Sequence, residues 1–292
     1  MTLKFTWANN DKIEYGIKQF LVKKGVSHRM YNDLKHDGDI LLNHDDTTFD
    51  AQVKPGDELT VIFPDERSDD EVAFSDHPIN IIYEDDNWLV VNKPAGLTSV
   101  PGPSNREDTL VNRIKGYLRK IDSHDLKPHL ITRLDRFTSG LVLVAKNRLA
   151  NSLANQQVAK HQIEKYYYAI VDGVLSNSHA IINRPIGRVG DNFRREVIAD
   201  GKNAVTEYWV KQSVSDITLL KIKLHTGRTH QIRVHMTALG HPLLGDQLYN
   251  GPLDRGIKRQ ALHAYYLKFH DDLSNVDREF KLDLPADMKA IL

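Results

Sequence analysis

The run Leu141-Val-Leu-Val-Ala145 sets five apolar residues directly behind a polar segment, Arg133-Leu-Asp-Arg-Phe-Thr-Ser-Gly140. An apolar run this short, bounded by turn residues, reads as a buried strand. The preceding loop is then held against the edge of a rigid sheet, and it carries one carboxylate, Asp135, between Arg133 and Arg136. Guanidiniums on either side favour the ionised carboxylate. Such a loop is well placed for chemistry, although these three residues alone read more simply as a surface ion-pair cluster at a turn. The rest of the chain has to decide.

The 292 residues suffice for one large or two ordinary domains with a good core. The chain has no cysteine, which excludes disulfides, thiolate metal sites and cysteine nucleophiles and fits a reducing, cytoplasmic setting. The first ten residues lack a basic-then-apolar pattern, and no run of 18 apolar residues occurs. Neither a signal peptide nor a membrane span is expected. Nothing demands an oligomer, so a monomer is the default expectation.

The formal net charge of zero hides an asymmetry. Residues 1–86 carry 9 Lys and Arg against 19 Asp and Glu, whereas the remaining 206 carry 30 against 20. Opposite signs in two stretches suggest two units, the second facing a polyanion. Residues 1–64 form the first unit. Ile17-Lys-Gln-Phe-Leu-Val22 and Arg29–Lys35 have the spacing of short amphipathic helices, with Ser27 as N-cap of the second. Ile40–Leu42 and Glu58–Phe63 read as strands. Residues 65–78 form an acidic linker expected to be solvated and mobile.

From residue 79 to 292 strands dominate. Ile79–Tyr83 and Trp88–Asn92 flank a turn at Asp85–Asn87, and a Pro/Gly-rich loop runs from Lys93 to Pro103. Helices are predicted over Asp108–Lys120, over Arg148–Lys160 behind the N-cap Asn147, and over Thr229–Leu239, which stops at Gly240. Strands are predicted at Ile163–Val171 and near 204–211 and 217–224. Helices inserted irregularly among strands point to an α+β fold with a mixed sheet.

Two further segments carry chemistry. In His225-Thr-Gly-Arg-Thr-His-Gln-Ile-Arg-Val-His235, Arg228 sits where a Gly turn meets a helix start, a point suited to a carboxylate or phosphate. His225, His230 and His235 invite a metal reading, but five-residue spacing puts no pair on one helical face, so no metal site is assigned. In Lys165-Tyr-Tyr-Tyr-Ala169, alternation sets Tyr166 and Tyr168 on one face of a strand and Tyr167 on the other. A tyrosine there can simply pack, or it can stack on a flipped base.

These segments stand in order with Asn92-Lys-Pro-Ala-Gly-Leu97, Gly240-His-Pro-Leu-Leu-Gly-Asp246 and Leu262-His263. Together, over about residues 79–275, they resemble the RluA-type pseudouridine synthases. Residues 12–64 resemble the small S-four type of RNA-binding domain (an αL-type unit) often joined to that family, with Lys18, Lys23, Lys24, Arg29 and Lys35 as its RNA-facing candidates. The resemblance implies a catalytic domain with a mixed, mostly antiparallel sheet. It also implies isomerisation of uridine to pseudouridine in RNA, ribosomal before transfer RNA, without a cofactor. Carried over by residue, Asp135 would be catalytic, Tyr167 would stack on the base, and Arg228 would pair with Asp135. Arg133 would fill the gap left by the flipped nucleotide, with Arg136, Lys93, Lys165 and Arg233 as further RNA contacts; Lys93 has a structural alternative. Thr132 stands where the family commonly has His. Two rivals remain: an RNA-binding protein of the same fold without catalysis, and a carboxylate-dependent hydrolase of small nucleosides.

Overall fold

The computed structural model describes residues 3–66, 71–103, 105–190 and 193–292. The N-terminal stretch builds a four-stranded sheet in which Glu58–Phe63 lies between Leu3–Ala8 and Asp39–Leu42. Helices α1 (Ile17–Lys23) and α2 (His28–Asp37) cover it, and Ser27 Oγ accepts the Met30 amide at the start of α2. Ile17, Phe20, Leu21 and Leu34 fill the core between sheet and helices.

The second unit is organised by a ten-stranded sheet among the described residues. Its order is His179–Asn183, Val205–Val214, Ile217–Leu224, Glu164–Asp172, Leu262–Asp271, Ser139–Ala145, Trp88–Lys93 and Ile81–Glu84. Val276–Lys281 and His129–Leu130 pair onto it from the side. Every pairing in it is antiparallel except one: Ser139 and Gly140 run parallel to His263 and Ala264. The sheet is therefore two antiparallel halves joined at a short seam. The apolar run is the wall of that seam, and all seven residues of Ser139–Ala145 are buried. Gly140 stands at φ +118, and a Cβ there would lie 2.2 Å from the Ala264 carbonyl oxygen, so only glycine admits the approach.

Helix α3 (Leu110–Lys120) lays Leu110, Ile114 and Leu118 on one face of the sheet. Helix α4 (Arg148–Ala159) lays Ala150 and Ala154 on the other, and Asn147 Oδ1 caps it through the Leu149 and Ala150 amides. The same helix sends Leu149 and Leu153 into the N-terminal core. Ser152 Oγ donates to the Gly25 carbonyl, and Arg148 pairs with Asp33 at 2.9 Å, so the two units are packed together.

Two expectations are corrected here. The acidic stretch is fastened down where it is described: Glu66 meets His129 at 2.7 Å, and Lys115 and Asn112 donate to the Val72 and Ala73 carbonyls. Residues 67–70 of it lie outside the described residues. The predicted helix from Thr229 begins instead at Gln231 (α5, Gln231–Ala238), because His230 takes a left-handed conformation at φ 59.

Candidate active site

Asp135 sits on the loop that enters the seam, and two neighbouring loops hold it. Its carbonyl accepts the Thr138 amide at 3.1 Å, closing a turn. Leu134 is bracketed by Ser99, whose hydroxyl donates to the Leu134 carbonyl at 2.6 Å and accepts the Leu134 amide at 3.2 Å. Lys93 lies entirely inside the protein, and its Nζ donates to the carbonyls of Pro94, Leu97 and Arg136 at 2.8–3.1 Å. Burial draws its pKa down to about 7 against the charge of Asp135. Three carbonyls nevertheless match the three N–H donors that only the ammonium has. Lys93 is thus a clamp between the Lys93–Gly96 loop and the Asp135 loop; its expected RNA contact is corrected, since no part of it reaches solvent.

The other side of the site comes from the segment after the Ile217–Leu224 strand. Gln231 staples it: its Oε1 accepts from Thr226 Oγ1 and the Arg228 amide, while its Nε2 donates to Val205 O and Thr206 Oγ1. That turn, completed by left-handed His230, aims α5 so that Arg233 rather than Arg228 faces the carboxylate. Arg233 Nη1 donates to Asp135 Oδ2 at 3.3 Å. Its Nε and Nη2 grip Asp246 bidentately at 2.7 and 2.8 Å. Arg233 is 5 % exposed and Asp246 1 %. Burial works against the guanidinium charge, and the Asp246 hydrogen bond and charge more than restore it. Arg228 is exposed and donates from Nε to the Asn203 carbonyl at 2.9 Å. The expected Arg228–Asp135 pair and the expected RNA-facing role of Arg233 are both corrected: Arg228 lies in the turn before α5 and points to Asn203, while Arg233, in the first turn of α5, faces Asp135.

His230 adds a third element, with Nε2 4.0 Å from Asp135 Oδ2 and Nδ1 3.0 Å from the Tyr249 hydroxyl. Burial lowers its pKa, opposed by the charge of Asp135. The other histidines are engaged elsewhere: His235 with Thr206 and the Arg184 carbonyl, His225 with Glu207. Among the described residues no cluster of His, Cys, Asp or Glu could hold a metal.

A cleft of about 730 Å³ opens over Asp135, lined also by Arg133, Lys165, Tyr167, Arg228 and His230. Tyr167 forms part of its wall from the Glu164–Asp172 strand, opposite Ile222 and Ala264. Burial, then the charge of Asp135, pushes its phenol up, so the hydroxyl stays protonated at neutral pH. Lys165 lines the same cleft half-buried, and burial lowers its pKa. Arg133 and Arg136 are exposed at its mouth, with Arg136 Nε donating to the Gly96 carbonyl. Thr132 is buried, and its hydroxyl accepts the Leu143 amide at 2.9 Å, so it braces the loop base against the seam strand. Asp246, His230, Tyr249 and Ser99 were given no role by sequence. No sequence signal singled them out, because the burial of Arg233 that calls for a buried carboxylate partner shows only in the fold.

A carboxylate paired with a braced arginine, beside a protonated phenol in a cleft large enough for a nucleotide, can attack or deprotonate a bound sugar or base. Comparison with known proteins points the same way. The family model described as RNA pseudouridylate synthase matches residues 87–238. The uncharacterized RNA pseudouridine synthase YjbO of Bacillus subtilis is 37% identical over 94% of this chain and 98% of its own length. The ribosomal large subunit pseudouridine synthase D of Xylella fastidiosa is 36% identical over 87% of this chain and 80% of its own. Among solved structures, human RNA Pseudouridylate Synthase Domain Containing 1 aligns with a TM-score of 0.61 and 27% identity, covering 74% of this chain and 89% of its own.

Proposed function

The chain belongs to the RluA-type RNA pseudouridine synthases, and from that premise we propose that it isomerises specific uridines in structured RNA, ribosomal before transfer RNA, with Asp135 as the catalytic carboxylate. The observation that carries this reading is the Asp135–Arg233–Asp246 chain at the floor of the cleft, beside Tyr167. The preference for ribosomal RNA rests on relatives named ribosomal large subunit pseudouridine synthase D, 34–38% identical.

The reaction breaks the bond between N1 of uracil and the sugar, turns the base, and forms a carbon–carbon bond from C5 with loss of the C5 proton. N1 takes up a proton in return, so nothing is gained or lost overall. The uridine is first flipped out of its stack, at a cost of a few kcal/mol. Stacking on Tyr167 offsets about 1–3 kcal/mol of that. Asp135, paired with Arg233, then acts as nucleophile on the sugar or on C6, or as base on the sugar. The protonated Tyr167 hydroxyl is placed to assist proton transfer. Arg133, Arg136 and Arg228 line the mouth and meet RNA phosphates, with Arg133 filling the vacated place in the stack. Lys165, in the cleft wall, contacts the bound nucleotide. The S-four-like unit adds a second RNA contact through exposed Arg29 and Lys35.

The test is to map pseudouridines in RNA from cells lacking the gene, then restore wild type or Asp135→Asn. Wild type should restore the missing sites and Asp135→Asn none of them. Unchanged sites on deletion, or full restoration by the Asn variant, would sink the reading.

A further inference from the structure

The face of the central sheet turned away from Tyr167 carries a band of rings and lysines that the catalytic set does not use. Its origin is a register irregularity. Tyr166 pairs with Tyr266 but Tyr167 pairs with Ala264, which leaves Tyr265 as an extra residue. Tyr265 and Tyr266 consequently both join Tyr166 and Tyr168 in ring contacts, with Tyr168 and Tyr265 stacked at 3.8 Å. Trp209, two strands away, stands 6.4 Å from Tyr166, and His179 stacks on it at 5.1 Å. Between the rings lies Lys221, its Nζ 4.3 Å from the Tyr166 centroid and 5.1 Å from that of Trp209.

Cross-strand ring pairs alone could be explained as sheet stabilisation, worth about 0.2–1 kcal/mol each. Lys221 argues for more. Lys223 has Glu164 at 4.0 Å and Lys281 has Glu279, but among the described residues Lys221 has no ion-pair partner. An uncompensated ammonium set between two half-buried aromatic faces is a combination that takes up a phosphate and stacks the bases beside it. The band is also continuous with the cleft, because Glu164, Lys165, Lys223 and Leu224 line the cleft from the same two strands.

We propose that this band, centred on Tyr166, Trp209 and Lys221, is a landing surface for the single-stranded RNA that flanks the modified uridine. The inference rests on the RNA synthase reading, but its test is separable from that reading. The probe is a fluorescein-labelled oligouridylate of about 12 nucleotides, long enough to cross such a groove. Replacing Tyr166, Trp209 and Lys221 together by alanine should weaken its binding about 10–100-fold, the range that loss of one or two stacked bases gives. Lys221→Ala alone should make the salt dependence of log K shallower by about 0.7. Single-turnover modification of in vitro transcribed large-subunit ribosomal RNA at saturating enzyme should stay near wild type in the triple variant. The oligouridylate should also quench Trp209, one of three tryptophans, and Trp209→Phe should abolish that quench. Unchanged affinity in the triple variant, or a quench that survives Trp209→Phe, overturns the proposal. Binding of protein-bearing ribosomal subunits but not of the oligouridylate also overturns it and assigns the band to a protein. Asp135→Asn should bind the probe like wild type; if it still modifies RNA, the catalytic reading fails while the band is judged by binding alone.

Discussion

Arg233 faces two carboxylates at once, and the unequal grip decides what its loss does. Asp246 takes the bidentate fork deep in the protein, while Asp135 receives one longer hydrogen bond at the cleft. Arg233→Ala would strand a buried Asp246 and cost about 3–5 kcal/mol, confusing folding with catalysis. Arg233→Lys is the cleaner probe, because it keeps the charge and loses the planar fork. It should cut the single-turnover rate at saturating RNA by about 100-fold, as a misplacement near 1 Å does, with a modest fall in thermal midpoint. Arg228→Ala should do the opposite, raising the Kd for RNA while leaving that rate within a few-fold. If Arg228→Ala proves the rate-killer and Arg233→Lys is mild, the assignment of the carboxylate's partner is wrong. From sequence, both arginines of His225–His235 were visible, but their order along the chain says nothing about which one turns inward. That depended on His230 adopting a left-handed backbone, which few residues other than glycine favour and no periodicity announces.

Elements with a local signal were legible. Ser27 and Asn147 accept the amides their N-cap positions call for, and Ile217–Leu224 is a strand with the bounds its pattern indicates. The Leu3–Ala8 strand, although Leu3, Phe5 and Trp7 alternate toward the N-terminal core, was passed over. So was Leu262–Asp271, whose mixture of Tyr, His, Lys and Phe follows no clean alternation because neighbours on both sides and a bulge set its burial. The seam between the halves was equally hidden, since parallel pairing depends on contacts more than a hundred residues apart. Gly140 is where that pairing can be tested. Gly140→Ala introduces a methyl where the Ala264 carbonyl already stands and a side chain at a strained φ. The variant should lose more than about 2 kcal/mol in urea unfolding, and the surviving folded fraction should turn over poorly, because the Asp135 loop springs from this strand. Wild-type stability would show that the seam yields without effort.

Across the whole molecule, the seam also sets an acid limit. Ser139 and His263 face each other there through a 2.9 Å hydrogen bond, and burial, followed by the charge of Arg259, lowers the His263 imidazole to about 4. The unfolded chain, with the ordinary value of 6.5, therefore binds a proton between pH 6.5 and 4 that the folded chain refuses. Stability should fall as pH drops through that window and lose about 3 kcal/mol from this group, with no further loss from it below about 4. His263→Asn, which keeps an acceptor for Ser139, should flatten that part of the urea-midpoint profile; an unchanged slope would remove His263 from the account. The two parallel pairs of the seam, Ser139–His263 and Gly140–Ala264, have a consequence for the order in which the protein is made. Asp135, its loop and the Ser139–Ala145 strand leave the ribosome long before Leu262–Asp271 exists to lie beside them. Until that strand is synthesised, the two half-sheets have open edges and Asp135 belongs to only one of them. Contacts of such sequence separation close slowly. A growing chain therefore carries every residue of the Asp135–Arg233–Asp246 set before Leu262–Asp271 arrives to join the two half-sheets around them.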